Sequence, residues 1–127
     1  MSLLLDTHAL LWHFEDSASL SRTAKNLIND KANQLFISTA SLWEMSIKTG
    51  LGKLKLADPV PDLVAGYVST GTTLLSIDPK HAYATSSLPW HHRDPFDRML
   101  ITQAQLEGLT LVTQDEMFKR YEVPLVW

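Results

Sequence analysis

The residues that could do chemistry crowd into the stretch His92-Arg93-Asp94-Pro95-Phe96-Asp97-Arg98. Two carboxylates, two guanidiniums and an imidazole stand together there, a set that can hold a cation, move a proton or grip a phosphate. Asp94 followed by Pro95 is also a helix start: Asp is a favoured N-cap and Pro suits the first helical position. Asp97 then falls in the first turn, where unpaired N–H groups and the helix dipole favour an anion. Behind it Phe96, Met99, Leu100, Ile101 and Ala104 recur at helical spacing and anchor the helix in a core. Alone, the stretch is explained by a capped helix with a charged first turn. Three more acids elsewhere in the chain change that.

The elements that must position these groups alternate between strand and helix. Ser2 to Leu5 is a short apolar run ending in Asp6, the pattern of a buried strand, and Thr7 to Phe14 continues as a helix. Ser19 or Ser21 caps a second helix, with Ala24, Leu27 and Ile28 inward. Gln34 to Ile37 reads as the second strand. Ser38 and Thr39 open a helix through Leu42, Trp43, Met45 and Ile47 that Gly50 closes. Leu51 to Pro61 reads as loop, followed by a helix from Asp62 to Val68. Thr73 to Ile77 is a third strand, and Asp78-Pro79 starts another helix. The turn-rich segment from Ser86 to His92 leads into the helix after Asp94, which Gly108 terminates. Leu109 to Val112 is a fourth strand, Thr113 to Glu116 opens a short helix, and Val123 to Trp127 is a last edge strand. Such alternation means βαβ crossovers and a mostly parallel sheet covered on both faces.

In open sheets of this kind ligands gather outside the C-terminal ends of the strands. Asp6 ends the first strand, and Asp115 lies three residues past the fourth. Glu44 is one to two turns into the helix after the second strand, and Asp97 is in the first turn of the helix before the fourth. All four can project over one sheet edge. Each has a plainer explanation. Asp6 can cap the next helix, Glu44 can close a capping box with Ser41 or pair with Lys48, and Asp115 can sit behind a Thr113 cap. Capping does not, however, require all four at one edge, nor does it favour Glu44 within an amphipathic helix.

Electrostatics sharpens the choice. Two carboxylates about 4 Å apart repel by roughly 4 kcal/mol at an effective dielectric of about 20. A cluster of them must take up protons or bind a cation. The chain has no Cys, so thiolate zinc sites, disulfides and a cysteine nucleophile are excluded, and hard ions such as Mg2+ or Mn2+ suit an all-carboxylate site. One or two such ions can generate hydroxide and orient a phosphodiester for in-line displacement. Eleven Lys and Arg against fourteen Asp and Glu give a net charge of −3, which argues against holding nucleic acid by bulk charge. A metal-loaded acidic site reverses that sign locally. Arg93, Arg98, Lys48, Lys53 and Lys55 are candidate clamps for a nucleic-acid backbone.

The length, 127 residues, fits one domain. The run Leu3-Leu4-Leu5 is stopped by Asp6 and has no basic segment before it, and no apolar run reaches transmembrane length, so the expectation is a cytoplasmic protein without a membrane partner.

Four spaced motifs, Leu5-Asp6-Thr7-His8-Ala9-Leu10-Leu11-Trp12, Ser38 to Lys48 with Ser41, Trp43 and Glu44, His92 to Arg98, and Thr113 to Phe118 with Asp115, resemble the PIN domain. More narrowly they resemble the VapC-type ribonuclease toxins of prokaryotic toxin–antitoxin pairs, in the expected order from about residue 3 to the C-terminus. The resemblance implies a three-layer α/β/α sandwich spanning residues 1–127, with a central, mostly parallel sheet. It implies Mg2+- or Mn2+-dependent RNA cleavage by metal-activated water, leaving a 5′-phosphate and a 3′-hydroxyl. Homodimers and inhibition by a cognate antitoxin are implied as well. Carried over by position, Asp6, Glu44, Asp97 and Asp115 match the acidic quartet that holds the metal, and Thr7 and Thr113 match supporting hydroxyls. Asp94 matches an extra aspartate, read as cap or support rather than ligand.

Two rival classes stay in view. A phosphatase using Asp6 as an aspartyl-phosphate nucleophile usually has a second Asp two residues on, where this chain has His8. A partner-binding module could hold Mg2+ in an acidic pocket and cut nothing. His91-His92 invites a metal reading, yet adjacent side chains rarely face one ion and imidazole suits zinc or nickel. Trp12 and Trp43 read as core or interface, and Trp90 and Trp127 as anchors for an antitoxin or a dimer partner.

Overall fold

The computed structural model describes residues 1–127. Five strands, β1 (Ser2–Leu5), β2 (Gln34–Ser38), β3 (Thr73–Leu75), β4 (Thr110–Val112) and β5 (Leu125–Val126), form one sheet in the order β3-β2-β1-β4-β5. Every pairing is parallel, so the expected mostly parallel sheet is parallel throughout. Helices α1 (Thr7–Phe14), α2 (Arg22–Asn29), α3 (Thr39–Gly50), α4 (Val60–Ser69), α5 (Pro79–Ala84) and α6 (Pro95–Glu107) make the crossovers, with 3-10 turns at Thr85–Ser87 and Glu116–Arg120. None of the helices is long and apolar enough to cross a membrane.

The run Leu3-Leu4-Leu5 shows why the sheet is central. Side chains alternate across a strand, so an unbroken apolar run is stable only with both faces covered. Leu3 and Leu5 join Ile37 and Val112 in a core with Ala9, Leu10 and Leu11 of α1, Ala24 and Ile28 of α2, and Met45 of α3. Leu4 and Leu111 point the other way, into a core with Leu100, Ile101 and Ala104 of α6, Leu88, Phe118 and Tyr121. The three layers follow from that alternation.

Element ends follow the sequence in most places. Asp6, Ser21, Ser38 and Asp94 are side-chain caps of α1, α2, α3 and α6, and Gly108 leaves α6 in the left-handed region at φ 67°. Ser21, not Ser19, caps α2. Several expected boundaries shift. Gly50 is the last residue of α3, not its terminator, and the left-handed turn falls at Gly52 with φ 70°. Helix α4 begins at Val60, two residues ahead of the expected Asp62, because Pro61 fits a first turn whose N–H groups need no helical partner. The third strand stops at Leu75 and the last covers only Leu125 and Val126, since each has a single neighbour to pair with.

Candidate active site

The C-terminal ends of β1 and β4 lie side by side, with Leu5 paired to Val112. Asp6 continues the ladder by donating its backbone N–H to the Val112 carbonyl at 3.1 Å. Its side chain turns into α1 and accepts the Ala9 N–H at 2.7 Å. Asp115 sits beyond β4, its backbone N–H held by the Thr113 hydroxyl at 3.1 Å and its carboxylate accepting from Met117 N–H at 2.9 Å. Asp115 is therefore itself the cap of the following 3-10 turn, rather than a first-turn acid behind Thr113. Asp6 and Asp115 line one shallow cavity of about 500 Å3 with His8, Trp12, Gln114 and Glu116.

Glu44 reaches the same edge from α3. It is only 7% exposed, and both of its oxygens are engaged. The Thr7 hydroxyl donates to Oε1 at 2.7 Å, and Lys48 Nζ lies 2.9 Å from Oε2. Ser41 Oγ stands 3.1 Å from the Thr7 hydroxyl oxygen, so the link between α1 and α3 is a small buried polar network and not a Ser41–Glu44 capping box. Asp97 arrives from the first turn of α6. Asp94 caps that helix, accepting from Phe96 N–H at 2.9 Å and Asp97 N–H at 3.1 Å, and is exposed.

The electrostatics of these groups are shared. Burial pushes the Asp97 carboxyl up to about 8, and the charges of Asp94, Glu44, Asp6 and Asp115 push in the same direction. Burial raises Asp6 as well, against the Thr113 hydroxyl, the Ala9 N–H and His8, with Asp115 adding to the rise. The charges of Glu44, Asp6 and Asp115 all act on Asp97, and that of Asp115 acts on Asp6, so the four acids lie at one edge of the sheet, with Thr7, Thr113 and Asp94 bonded to or beside them. The donor set is all carboxylate, which fits a hard divalent cation and not a soft one. A buried carboxyl pushed up to about 8 among other acids is one that a nearby cation would return to its charged form.

Arg98 departs from the expectation of a backbone clamp. It is 3% exposed. Its guanidinium donates to the carbonyls of Pro89 at 2.8 Å and of Thr85 and Leu88 at 3.0 Å each, and its Cζ lies 3.6 Å from the centre of the Trp90 ring. Those bonds bind the 85–90 segment to α6, and the little of Arg98 left uncovered borders an apolar cleft. Arg93 is exposed, and Lys48 is partly so.

Beside the acids lies an apolar cleft of about 450 Å3, lined among others by Trp43, Ile77, Trp90, Arg93, Phe96 and Met99. Trp43 is 62% exposed, so it is not core, and it meets Phe96 edge to face at 5.4 Å. Trp127 is half-buried against Trp12 at 5.8 Å. A second group of ligand-type residues, Asp78, His81 and Glu107, lies at the start of α5. His81 there accepts the Asp78 N–H on Nδ1 at 2.9 Å and meets Glu107 with Nε2 at 2.8 Å, while Lys80 joins the same Glu107 oxygen at 2.9 Å. Both imidazole nitrogens are used and the acid is already neutralised, so this trio is a helix cap and not a metal centre.

Sequence reasoning gave Ser41 a capping-box role that the structure replaces with a contact to Thr7, and it missed Tyr121 and Gln103. Tyr121 meets His92 Nδ1 at 2.7 Å, and Gln103 accepts the Ser38 hydroxyl proton at 2.6 Å, fixing α6 to the end of β2. No local pattern marks either residue, because both contacts cross long stretches of chain.

Comparison with known proteins agrees with this architecture. Ribonuclease VapC22 of Mycobacterium tuberculosis is 28% identical over 126 residues, covering 97% of this chain and 94% of that protein. The structure of VapBC2 from Rickettsia felis bound to a promoter DNA fragment matches with a TM-score of 0.73 at 20% identity, over 99% of this chain and 98% of that one. DNA-bound VapBC from Salmonella typhimurium matches with a TM-score of 0.73 at 19% identity, over 99% and 97%. A toxin–antitoxin complex from Klebsiella pneumoniae matches with a TM-score of 0.64 at 22% identity, over 98% and 96%. The family model described as the PIN domain matches residues 3–124, and the chain belongs to that family.

Proposed function

We propose that this protein is a divalent-metal-dependent endoribonuclease that hydrolyses RNA phosphodiester bonds and is held in check by a cognate antitoxin. One feature carries the reading: four carboxylates from separate segments share one edge of the sheet, where burial and the neighbouring acids push the Asp97 carboxyl up to about 8. The name of the relative VapC22, a ribonuclease, favours RNA as the polymer, and the VapBC pairs among the similar structures favour an antitoxin partner.

Asp6, Glu44, Asp97 and Asp115 are the residues we assign to hold Mg2+ or Mn2+. When bound, such an ion supplies Lewis acidity toward the phosphate and a hydroxide source at neutral pH. The chain's own groups set the frame for that chemistry. Thr7 and Lys48 fix the two Glu44 oxygens, Thr113 holds Asp115 and steadies Asp6, and Asp94 fixes the start of α6 so that Asp97 faces the other acids. Lys48 uses one of its three donors on Glu44, and with Arg93 it is the cation we assign to the RNA backbone. The exposed Trp43 and Trp90 beside the site favour a partner chain or a second copy there, since aromatics anchor interfaces. We place the protein in the cytoplasm as a homodimer.

The test is incubation of inhibitor-free protein with total cellular RNA in Mg2+, in Mn2+ and in EDTA, beside Asp97→Asn, with end labelling of the products. The expected result is discrete fragments with 5′-phosphates, lost in EDTA and in the variant. Intact RNA in every lane, from folded protein and several RNA sources, would overturn the nuclease in favour of a partner-binding module.

A further inference from the structure

His92 lies at the edge of the acidic site, and its hydrogen bonds determine where its ring proton sits. The Tyr121 hydroxyl oxygen accepts the His92 backbone N–H at 3.2 Å, and Arg98 Nη1, which gives one hydrogen to Pro89 at 2.8 Å, stands 3.5 Å from both that oxygen and the His92 carbonyl. A hydroxyl has two acceptor lone pairs and one proton. With obligate donors on that side of the oxygen, the Tyr121 proton is directed to His92 Nδ1, 2.7 Å away. Nδ1 is then an acceptor, and the ring hydrogen is on Nε2. Were Nδ1 the donor instead, three N–H groups would crowd one oxygen and the phenol proton would have no acceptor.

Nε2 is buried and has no hydrogen-bond partner. It faces Asp97 Oδ2 at 3.6 Å, with the His92 side chain 12% exposed and that of Asp97 23%. A buried donor without a partner costs free energy and calls for a reason. We propose that His92 is a positioning residue for Asp97: its Nε2–H holds Oδ2, so that the other carboxylate oxygen is presented to the remaining acids and to a cation among them. At 3.6 Å the contact is longer than a hydrogen bond, and under this proposal it shortens to one when Asp97 acts as a ligand. Arg98 and Tyr121 act one step further back, fixing the ring and its tautomer. The inference rests on the metal-nuclease reading, and it gives His92 a part that neither metal ligation nor a surface role would.

The experiment is calorimetric titration of the full chain with Mn2+, alongside steady-state RNA cleavage. His92→Ala should weaken Mn2+ about tenfold or more, the usual effect of removing a partner of a ligating carboxylate. It should lower kcat while leaving KM for RNA unchanged. His92→Gln, which keeps an amide donor, should recover part of the affinity. Tyr121→Phe should weaken Mn2+ less than His92→Ala and add nothing in its background. Folded His92→Ala with wild-type Mn2+ affinity, even if its thermal midpoint is lowered, would overturn the proposal. If His92→Ala does not fold, His92→Gln and Tyr121→Phe decide, and wild-type affinity and kcat in Tyr121→Phe overturn it. A wild-type protein that binds no Mn2+ overturns the metal reading itself and this inference with it.

Discussion

Thr7 donates its hydroxyl proton to Glu44 Oε1 at 2.7 Å, a bond that crosses 37 positions of sequence and ties the first turn of α1 to the middle of α3. With Lys48 on the other oxygen, Glu44 is held from both sides in a nearly closed position. Thr7→Val keeps the side-chain shape and removes the donor. Losing one bond to a buried carboxylate costs about 1–3 kcal/mol. We expect a lower urea midpoint and slower RNA cleavage for Thr7→Val, and near wild-type behaviour for Thr7→Ser. Equal midpoints for Thr7→Val and the wild type would show that Glu44 is held by Lys48 alone.

Asp97 makes stability depend on pH in a stated direction. Its ordinary value of 3.8 applies to the unfolded chain, and in the fold burial and the neighbouring acids push it up to about 8. Between those values the folded state keeps a proton that the unfolded state has released. The contribution is therefore fully present below pH 3.8 and is lost as pH rises through about 8. Asp6, raised by burial, acts in the same sense. Thermal midpoints in EDTA should show Asp97→Asn more stable than the wild type at about pH 9, with that gain shrinking steadily as pH falls toward 3.8. Mg2+ should raise the wild-type midpoint and leave that of Asp97→Asn almost unmoved. Parallel pH curves for the two proteins would mean that Asp97 ionises freely.

How much of this was legible in the sequence depended on how local its causes were. Asp6, Asp94 and Gly108 act on their own helices, so their residue types alone place three helix ends. The sheet was legible in Leu3-Leu4-Leu5, whose unbroken apolarity demands cover on both faces. That residues 6, 44, 97 and 115 lie near enough to act on one another's charge followed from the rule about strand ends. Arg98 was misread because a cation beside two aspartates resembles a phosphate clamp. Its burial depends on the carbonyls of Thr85, Leu88 and Pro89, which only the folded 85–90 segment turns toward it. Tyr121 and Gln103 gave no sign, since a tyrosine or glutamine announces a long-range partner by nothing in its neighbours.

The two arginines of the 92–98 stretch should part company when mutated. Arg98 is buried, donates to three carbonyls and lies against Trp90. Lys cannot reproduce a planar fork of five donors. Arg98→Lys should lose about 2–4 kcal/mol, as expected when buried carbonyls lose a charged partner. Arg93 is exposed, so Arg93→Ala should change stability by less than about 0.5 kcal/mol. It should instead raise KM for RNA and reduce the salt dependence of binding. Urea unfolding and cleavage assays at two salt concentrations separate these effects. An Arg98→Lys protein of wild-type stability would return that residue to the list of RNA contacts.

The trio of Asp78, His81 and Glu107 offers a control for the metal assignment. Its ligand atoms lie within 4.8 Å of one another, as those of a small cation site would. Its bonding says otherwise. His81 is fully buried with both nitrogens occupied, and the hydrogen bonds from Lys80 and His81 hold the Glu107 carboxyl below its ordinary range. A cation entering there would have to displace the Lys80 ammonium and the Asp78 N–H together. Asp78→Asn should keep the start of α5, because Asn caps as well as Asp, and should leave Mn2+ affinity unchanged. His81→Ala should cost on the order of 3 kcal/mol by emptying a closed site, again with Mn2+ affinity unchanged wherever the protein is folded. A tenfold loss of Mn2+ affinity in Asp78→Asn would move the metal away from Asp6, Glu44, Asp97 and Asp115, and RNA cleavage by the same variant would then show whether the nuclease chemistry moves with it.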